Sequence, residues 1–132
     1  MIVRLAERMV ATTGYHAFMA LDGERVSALT RELLDNPDAA VFVAERAGAV
    51  VGMLAMLVYP HPFSGARIAG ELVWFTDPDQ RGDGVKLLRA AEAWARTTDA
   101  VAVQMIAPTD RVGEFYRAMG YTPIETAYQR GI

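Results

Sequence analysis

The sequence predicts an α/β protein in which a mixed, mostly antiparallel sheet is flanked by helices on both faces. Three observations support this fold class. Two runs of strand-forming residues, 40–45 and 49–59, are separated by a short loop and predict an antiparallel hairpin. A strand, a helix and a strand follow one another over residues 67–107, which predicts a right-handed parallel crossover. Amphipathic helical patterns lie before the hairpin and after the crossover.

The first part of the chain predicts two helices. Residues 2–13 carry a weak helical stripe, and the first of them are also compatible with a short strand. Asp22 can cap a second helix by accepting hydrogen bonds from its first N–H groups. The dipeptide Asn36-Pro37 ends that helix. Its apolar face consists of Val26, Leu29 and Leu33.

The strands of the predicted sheet follow the second helix. After the hairpin, the loop Pro60–Gly65 leads into a strand at Arg67–Thr76, close enough to be antiparallel to its predecessor. A helix at Gly84–Thr97 has an apolar stripe on one face. Residues Ala100–Ala107 are almost continuously apolar, which predicts an interior strand.

The end of the chain predicts one more helix and one more strand. Asp110 is the predicted N-cap of the helix, and Gly120 is its predicted C-terminal stop. A final strand is predicted at Tyr121–Arg130, interrupted early by Pro123.

Length and composition restrict the possible classes of protein. The 132 residues suffice for one domain, expected to span 1–132, and no apolar run approaches the ~18 residues of a membrane span. The charged N-terminus does not resemble a secretion signal, and a chain without cysteine has no disulfides or thiolate metal sites. We therefore expect a cytoplasmic protein without a membrane partner.

Charge and histidine content argue against two further classes. The net charge of −3 and the scattered arginines do not suggest a nucleic-acid partner. The two histidines, His16 and His61, are far apart and form no metal-binding pattern, so no metal is expected.

A glycine-rich loop lies between the strand at Arg67–Thr76 and the helix that follows it. Glycines let backbone N–H groups approach a phosphate, and a helix N-terminus adds about half a positive charge. The alternative is a turn that only reverses the chain direction. The loop lacks the Gly-Lys-Ser/Thr of a nucleoside-triphosphate site and the third glycine of a dinucleotide site. Its residues are Arg81, Gly82, Asp83, Gly84, Val85 and Lys86.

This order of elements, together with two sequence motifs, resembles the GNAT superfamily of acetyl-CoA-dependent N-acetyltransferases. The loop Arg81–Lys86 is similar to the family's Arg/Gln-x-x-Gly-x-Gly/Ala motif, and Glu114–Tyr121 is similar to its late helix. The resemblance covers about residues 25–130. Several features depart from the family pattern, among them a short or absent N-terminal strand and the negative charge of Asp83 in an anion loop. Lys86 replaces the last small residue of the first motif, and only one strand follows the last helix, where many relatives have two.

The resemblance implies an enzyme that transfers an acetyl group from acetyl-CoA to an amine, which attacks the thioester directly. The loop backbone would hold the diphosphate of CoA, with the carboxylate of Asp83 directed away. The strand at Arg67–Thr76 would pair with the pantetheine arm and stabilise the charge that develops on the thioester oxygen. The residues concerned are Val73, Trp74 and Phe75; Trp74 either walls the acyl pocket or belongs to the core.

The resemblance also implies two catalytic residues. Tyr116 would protonate the leaving thiolate; alternatively, it packs as an aromatic with a satisfied hydroxyl. Glu71 would act as the general base, since apolar surroundings raise a carboxyl pKa; alternatively, it is a surface carboxylate paired with Arg67. His61 is the second candidate for the base. The residues expected to line the acceptor side are Tyr59, His61 and Tyr128.

Two other functions are compatible with the same pattern. One is a CoA-binding module without catalysis, and the other is a self-associating interaction domain that kept the fold alone. A homodimer is a further expectation, because members of the family often dimerise. The acceptor is not readable from the sequence, so a small molecule, a peptide N-terminus and a lysine side chain all remain open.

Overall fold

The structure is a computed structural model that describes residues 1–12, 20–78 and 82–132. In these ranges the chain forms four helices and four strands. The order of elements is α1 (Ile2–Thr12), α2 (Gly23–Asp35), β1 (Ala39–Arg46), β2 (Ala49–Pro60), β3 (Arg67–Thr76), α3 (Asp83–Ala95), β4 (Ala102–Gln104) and α4 (Asp110–Ala118).

The four strands form one mixed sheet in the order β1-β2-β3-β4. β1 and β2 are antiparallel, as are β2 and β3, whereas β3 and β4 are parallel. This arrangement confirms the predicted hairpin, the parallel strand pairing of the predicted crossover and the predicted fold class. The predicted bounds of β3 are also correct.

Helices cover both faces of the sheet because β2 alternates its apolar side chains between them. On one face, Leu54, Met56 and Val58 pack in a cluster with the apolar stripe of α3. On the other face, Met53 packs in a cluster with Leu5 of α1. The sheet is therefore the middle layer, and β2 is its most buried strand.

The first two helices end and begin much as predicted. Residues 2–12 are helical throughout, so the alternative of an initial strand is wrong. Asp22 is the N-cap of α2, and its Oδ1 accepts from the N–H groups of Glu24 and Arg25 at 2.9 and 3.2 Å. The helix stops at Asn36, before Pro37.

The prediction of an interior strand at Ala100–Ala107 is wrong. The strand β4 has only three residues and forms one edge of the sheet as the structure describes it. Val103 and Met105 pack on the α3 layer, but Val101 and Ile106 are 71% and 52% exposed. The continuous apolar run therefore reflects burial on one side, with apolar residues left on the surface.

Two predictions for the end of the chain are also wrong. Thr109, not Asp110, is the N-cap of α4, because Thr109 has the extended backbone that a cap needs and accepts from the N–H of Val112 at 3.3 Å. Residues 121–132 form no strand, since Pro123 cannot donate to a ladder and the segment after Tyr121 is exposed. Gly120, with φ of 91°, ends α4 as predicted.

None of the helices within the described ranges has the length and apolar character that crossing a membrane requires.

Candidate active site

The sheet opens between β3 and β4. Their parallel pairing covers only Ile68–Gly70 on β3, opposite Ala102–Gln104 on β4. Beyond Gly70, β3 continues to Thr76 with β2 as its partner, and in the described part of the chain no strand pairs with its other side. Val73, Trp74 and Phe75, the predicted contacts of the pantetheine arm, lie along this opening.

A β-bulge marks the same position on β3. Ala55 of β2 is opposite Val73 and Met56 is opposite Glu71, so that Leu72 is the extra residue. The bulge places Glu71 and Trp74 on the sheet face that carries α3, because their partners on β2 belong to that cluster. It thus aims both side chains at the same side of the opening.

Glu71 bridges the two diverging strands with its side chain. Its Oε2 accepts a hydrogen bond from the backbone N–H of Ile106, just beyond β4, at 2.9 Å. Burial raises the pKa of Glu71 to about 7, against smaller opposing effects of the hydrogen bonds from Ile106 and Tyr116. The carboxyl group therefore exchanges a proton near neutral pH. Arg67 does not pair with it, because Arg67 binds Asp38 and Asp99 at 2.6 and 2.9 Å.

Tyr116 of α4 lies beside Glu71. Its hydroxyl donates to the backbone carbonyl of Ile106 at 3.1 Å and also interacts with the Glu71 carboxylate. Burial, and to a lesser degree the charge of Glu71, raises the pKa of Tyr116 above its ordinary value of 10. The phenol therefore stays protonated at physiological pH. Its ring also packs on Trp74, with 5.8 Å between centroids, so both predicted roles of Tyr116 are compatible with its position.

The glycine-rich loop ends at the N-terminus of α3, and its first residue, Arg81, lies outside the described residues. Gly82 is the N-cap, with a left-handed φ of 94° and open space where a Cβ would lie. The N–H groups of the first helical turn, at Asp83, Gly84 and Val85, have no partners within the helix. A Cβ on Gly84 would lie 3.2 Å from Cζ2 of Trp74, so a glycine lets α3 approach β3 closely.

Asp83, the first residue of α3, is buried and paired with Arg46 at the end of β1. Arg46 donates from Nε to Oδ2 at 2.7 Å and from Nη2 to Oδ1 at 3.1 Å. This hydrogen bonding, despite some desolvation, lowers the pKa of Asp83, and the nearby Lys86 acts in the same direction. No sequence pattern indicates this pair, because its members are 37 residues apart.

Comparison with known proteins shows the family to which the chain belongs. Residues 7–121 match the model of the Acetyltransferase (GNAT) family. The chain belongs to this family. A comparison with curated proteins gives no match.

Solved GNAT structures share the fold. A putative acetyltransferase from Agrobacterium tumefaciens str. C58 is 20% identical, with a TM-score of 0.73 over 98% of this chain and 90% of its own. Glucosamine-6-phosphate N-acetyltransferase from Arabidopsis thaliana is 13% identical, with a TM-score of 0.75 over 97% and 86%. AAC(6')-Iy, in complex with the bisubstrate analogue CoA-S-monomethyl-acetylneamine, is 18% identical, with a TM-score of 0.67 over 83% and 80%.

The residues of this GNAT chain fit the acetyl-CoA that the family implies. Two buried polar atoms of β3, Trp74 Nε1 and Thr76 Oγ1, have no hydrogen-bond partner among the described residues. An unsatisfied buried group costs about 1–3 kcal/mol, which a bound amide or phosphate would recover. Thr76 Oγ1 is only 3.5 Å from the Cβ position of Gly84. Unpaired polar groups of β3 and α3 thus converge at the end of the opening.

The predicted acceptor residues are dispersed. Tyr59 donates to Oε1 of Gln104 at 3.1 Å and covers Gly70, on the sheet face opposite Glu71. The Nδ1 of His61 accepts from the N–H of Phe63 in its own loop at 3.2 Å. Tyr128 is 93% exposed. The structure therefore brings Glu71 and Tyr116 together but joins neither His61 nor Tyr128 to them.

Sequence reasoning missed three participants. Thr76 ends the strand that the sequence predicted, but nothing in the sequence marked its hydroxyl as unpaired. Arg46 and Asp83 are far apart in the sequence and come into contact only in the folded protein. Ile106 acts through its backbone, which no side-chain pattern reveals. Within the described ranges, no group of three or more His, Cys, Asp or Glu residues could hold a metal ion.

Proposed function

We propose that this chain is an N-acetyltransferase that moves an acetyl group from acetyl-CoA to a primary amine by direct attack. The observation that carries the proposal is the meeting of Glu71 and Tyr116 where β3 and β4 separate. A carboxyl group and a phenol supply the base and the acid that the reaction needs. They lie beside an opening lined by β3 backbone that, among the described residues, has no strand partner on that side.

The opening and the α3 N-terminus would hold the co-substrate. The first-turn N–H groups of α3 suit a diphosphate, and the backbone of Val73–Phe75 suits an amide-containing arm. Acetyl-CoA, when bound, supplies the activated thioester. The complex of AAC(6')-Iy with a CoA-derived analogue supports a co-substrate of this kind.

Glu71 would take the proton that the amine must lose. A primary amine with a pKa of roughly 10 is almost fully protonated at neutral pH and is then not nucleophilic. A carboxylate with a pKa of about 7 accepts this proton more readily than an ordinary glutamate. The C–N bond forms and the C–S bond breaks, with the amine proton on Glu71.

Tyr116 would supply a proton to the leaving sulfur. The charge of Glu71 contributes to the raised pKa of Tyr116, so protonation of Glu71 makes the phenol a stronger acid. The two residues therefore act in a favourable order: the base is neutralised first, and the acid is strengthened by that event. Release of the thiol leaves Tyr116 as a phenolate, which recovers its proton from the nitrogen of the new amide, and Glu71 then loses its proton to water.

The acceptor is an amine on a small molecule or a peptide. The substrates named for related structures, glucosamine-6-phosphate and aminoglycosides, support a small amino sugar as the first compound to test. Tyr59 and Gln104 pair at the β4 end of the opposite sheet face and would contact the acceptor from there.

The test is thiol release from acetyl-CoA, measured with a panel of amino sugars, polyamines, amino acids and peptides. We expect release only when an amine is present, and loss of about 100-fold in kcat for Glu71→Gln with CoA affinity retained. The glutamine keeps an oxygen for the N–H of Ile106, so the variant isolates the base. Tight CoA binding without turnover of any amine would instead indicate a non-catalytic CoA-binding module.

A further inference from the structure

We propose that Arg46 is a positioning residue for the diphosphate of CoA, acting by neutralising Asp83 at the N-terminus of α3. The inference rests on the proposed function in that CoA is the ligand. It adds a residue from the β1–β2 hairpin to a site otherwise built from β3, α3 and α4.

The geometry of the pair is that of a fixed bidentate contact. Both carboxylate oxygens of Asp83 accept from the guanidinium of Arg46, at 2.7 and 3.1 Å. The Asp83 side chain is only 8% exposed, whereas the Arg46 side chain is 48% exposed. The negative member is thus enclosed at the helix start, and the positive member reaches it from outside.

The fold directs Arg46 to this place. Phe42 and Ala44 of β1 pack on the α3 cluster, and Arg46 continues the same alternation toward α3. A register shift between Ala44 and Glu45 and the left-handed residues Ala47 and Gly48 complete the tight hairpin end. The hairpin therefore presents the guanidinium at the first turn of α3.

An aspartate at this position is a problem for an anion site. The first turn of α3 attracts anions through its free N–H groups and the helix dipole. A buried carboxylate in the same turn would repel a diphosphate, because little water screens it. The low pKa of Asp83 keeps it ionised at physiological pH, so Arg46 has to supply the compensating charge. Lys86, exposed one turn later, adds a further cation near Asp83.

The pair also fixes the position of the start of α3. Asp83 directly follows Gly82, whose conformation is accessible mainly to glycine. By holding Asp83 from the side of β1, Arg46 ties the helix start to the rigid hairpin. One contact therefore serves both charge balance and placement of the N–H groups.

A charge series tests the inference. Wild type, Arg46→Ala, Asp83→Asn and the double variant have local charges of zero, minus one, plus one and zero. We expect CoA affinity, measured by calorimetry at pH 8 and low salt, to fall about tenfold in Arg46→Ala. Asp83→Asn, which keeps one oxygen to accept from Arg46, should bind at least as tightly as wild type, and the double variant should recover the part of the loss that is due to charge.

Binding of pantetheine, which lacks the diphosphate, distinguishes an effect on the charge near the diphosphate from an effect on the folding of the site. The affinity for pantetheine should be nearly the same in all four proteins. The matched control is Arg67→Ala, which breaks the ion pairs with Asp38 and Asp99 at the other end of β3. This variant should leave the ratio of CoA to pantetheine affinity unchanged, even if its melting temperature falls.

Each result has a definite meaning. Equal CoA affinity in wild type and Arg46→Ala would overturn the role of Arg46 while leaving the proposed function intact. Parallel losses of CoA and pantetheine affinity would also overturn it, because the pair would then serve only the fold. Absence of CoA binding in folded wild-type protein would overturn the proposed function and, with it, the inference.

Discussion

The carboxylate of Glu71 accepts a hydrogen bond from the backbone N–H of Ile106 at 2.9 Å, across the point where β3 and β4 separate. In a continuous parallel sheet this N–H would bond to a strand carbonyl. A side chain takes over that role here, and the main chain of β3 beyond it is left without a strand partner on that side in the described residues. The side chain of the residue proposed as the base thus lies where the pairing of the two strands ends.

The raised pKa of Glu71 predicts how stability depends on pH. The pKa is about 7 in the folded protein and 4.5 for an ordinary glutamate, so between these values the folded state binds more protons. The free energy of unfolding therefore falls as pH rises from about 4.5 to about 7. Relative to Glu71→Gln, wild type should lose roughly 2 kcal/mol of stability between pH 5 and pH 8.

Urea denaturation of wild type and Glu71→Gln at pH 5 and pH 8 measures this loss of stability. Because the two proteins share all other titratable groups, the contributions of those groups to the pH dependence cancel in the comparison. A pH-independent difference between wild type and variant would mean that Glu71 titrates normally.

The same group predicts the pH profile of activity. A base works only when it is deprotonated, so kcat/KM should rise up to tenfold per unit below pH 7, and the contribution of Glu71 should level off above it. The amine substrate also loses a proton as pH rises, which adds a second pH dependence to kcat/KM. The profile of Glu71→Gln with the same amine provides the correction, since that variant retains only the slope of the amine. Identical profile shapes in the two proteins would exclude Glu71 as the base.

Replacement of Tyr116 by phenylalanine should slow turnover by about 100-fold and change CoA affinity little, because the ring still packs on Trp74. The lost hydrogen bond to Ile106 should lower stability by about 1 kcal/mol. Tyr121→Phe is the matched control, since it removes a phenol that donates to Glu92 at 2.8 Å. Steady-state kinetics should distinguish the two variants; equal activities would leave Tyr116 with a packing role alone.

Gly84→Ala should weaken CoA binding by about tenfold. The new Cβ would lie 3.2 Å from Cζ2 of Trp74, so the helix start and the strand must move apart. Gly113→Ala in α4 is a control with the same chemistry, because its Cβ would meet Ala107 at an ordinary 3.8 Å. Calorimetry with CoA should find a loss only in the first variant. Unchanged affinity in Gly84→Ala would show that the close approach of α3 to β3 is not needed for binding.

The sequence was most informative about long elements with strong patterns. The hairpin, β3 and α3 bury apolar stripes, and such stripes are visible in the order of residues. The wrong predictions concern segments whose structure depends on tertiary contacts. The apolar run around β4 was compatible with an interior strand, and only the sheet order shows that it forms an edge. The final segment contains strand-forming residues, but without a partner they form no ladder.

The site was predicted unevenly for a related reason. Glu71 and Tyr116 could be named from a resemblance in sequence, and the structure places them side by side. Their common contact, the backbone of Ile106, has no side-chain signature. The unpaired Trp74 Nε1 and Thr76 Oγ1 are properties of the packed state, which a residue order does not encode locally. Arg46 follows the alternation of β1, but its partner Asp83 lies 37 residues further along the chain.

The shortness of β4 has a consequence for dynamics. β3 is anchored along its whole length by β2, whereas the chain after Ala100 joins the sheet through a three-residue strand. Local opening should therefore separate β4 and α4 from the rest before the hairpin loosens. Tyr116 belongs to the part that detaches and Glu71 to the part that stays, so one fluctuation disassembles the acid–base pair while most of the protein remains folded.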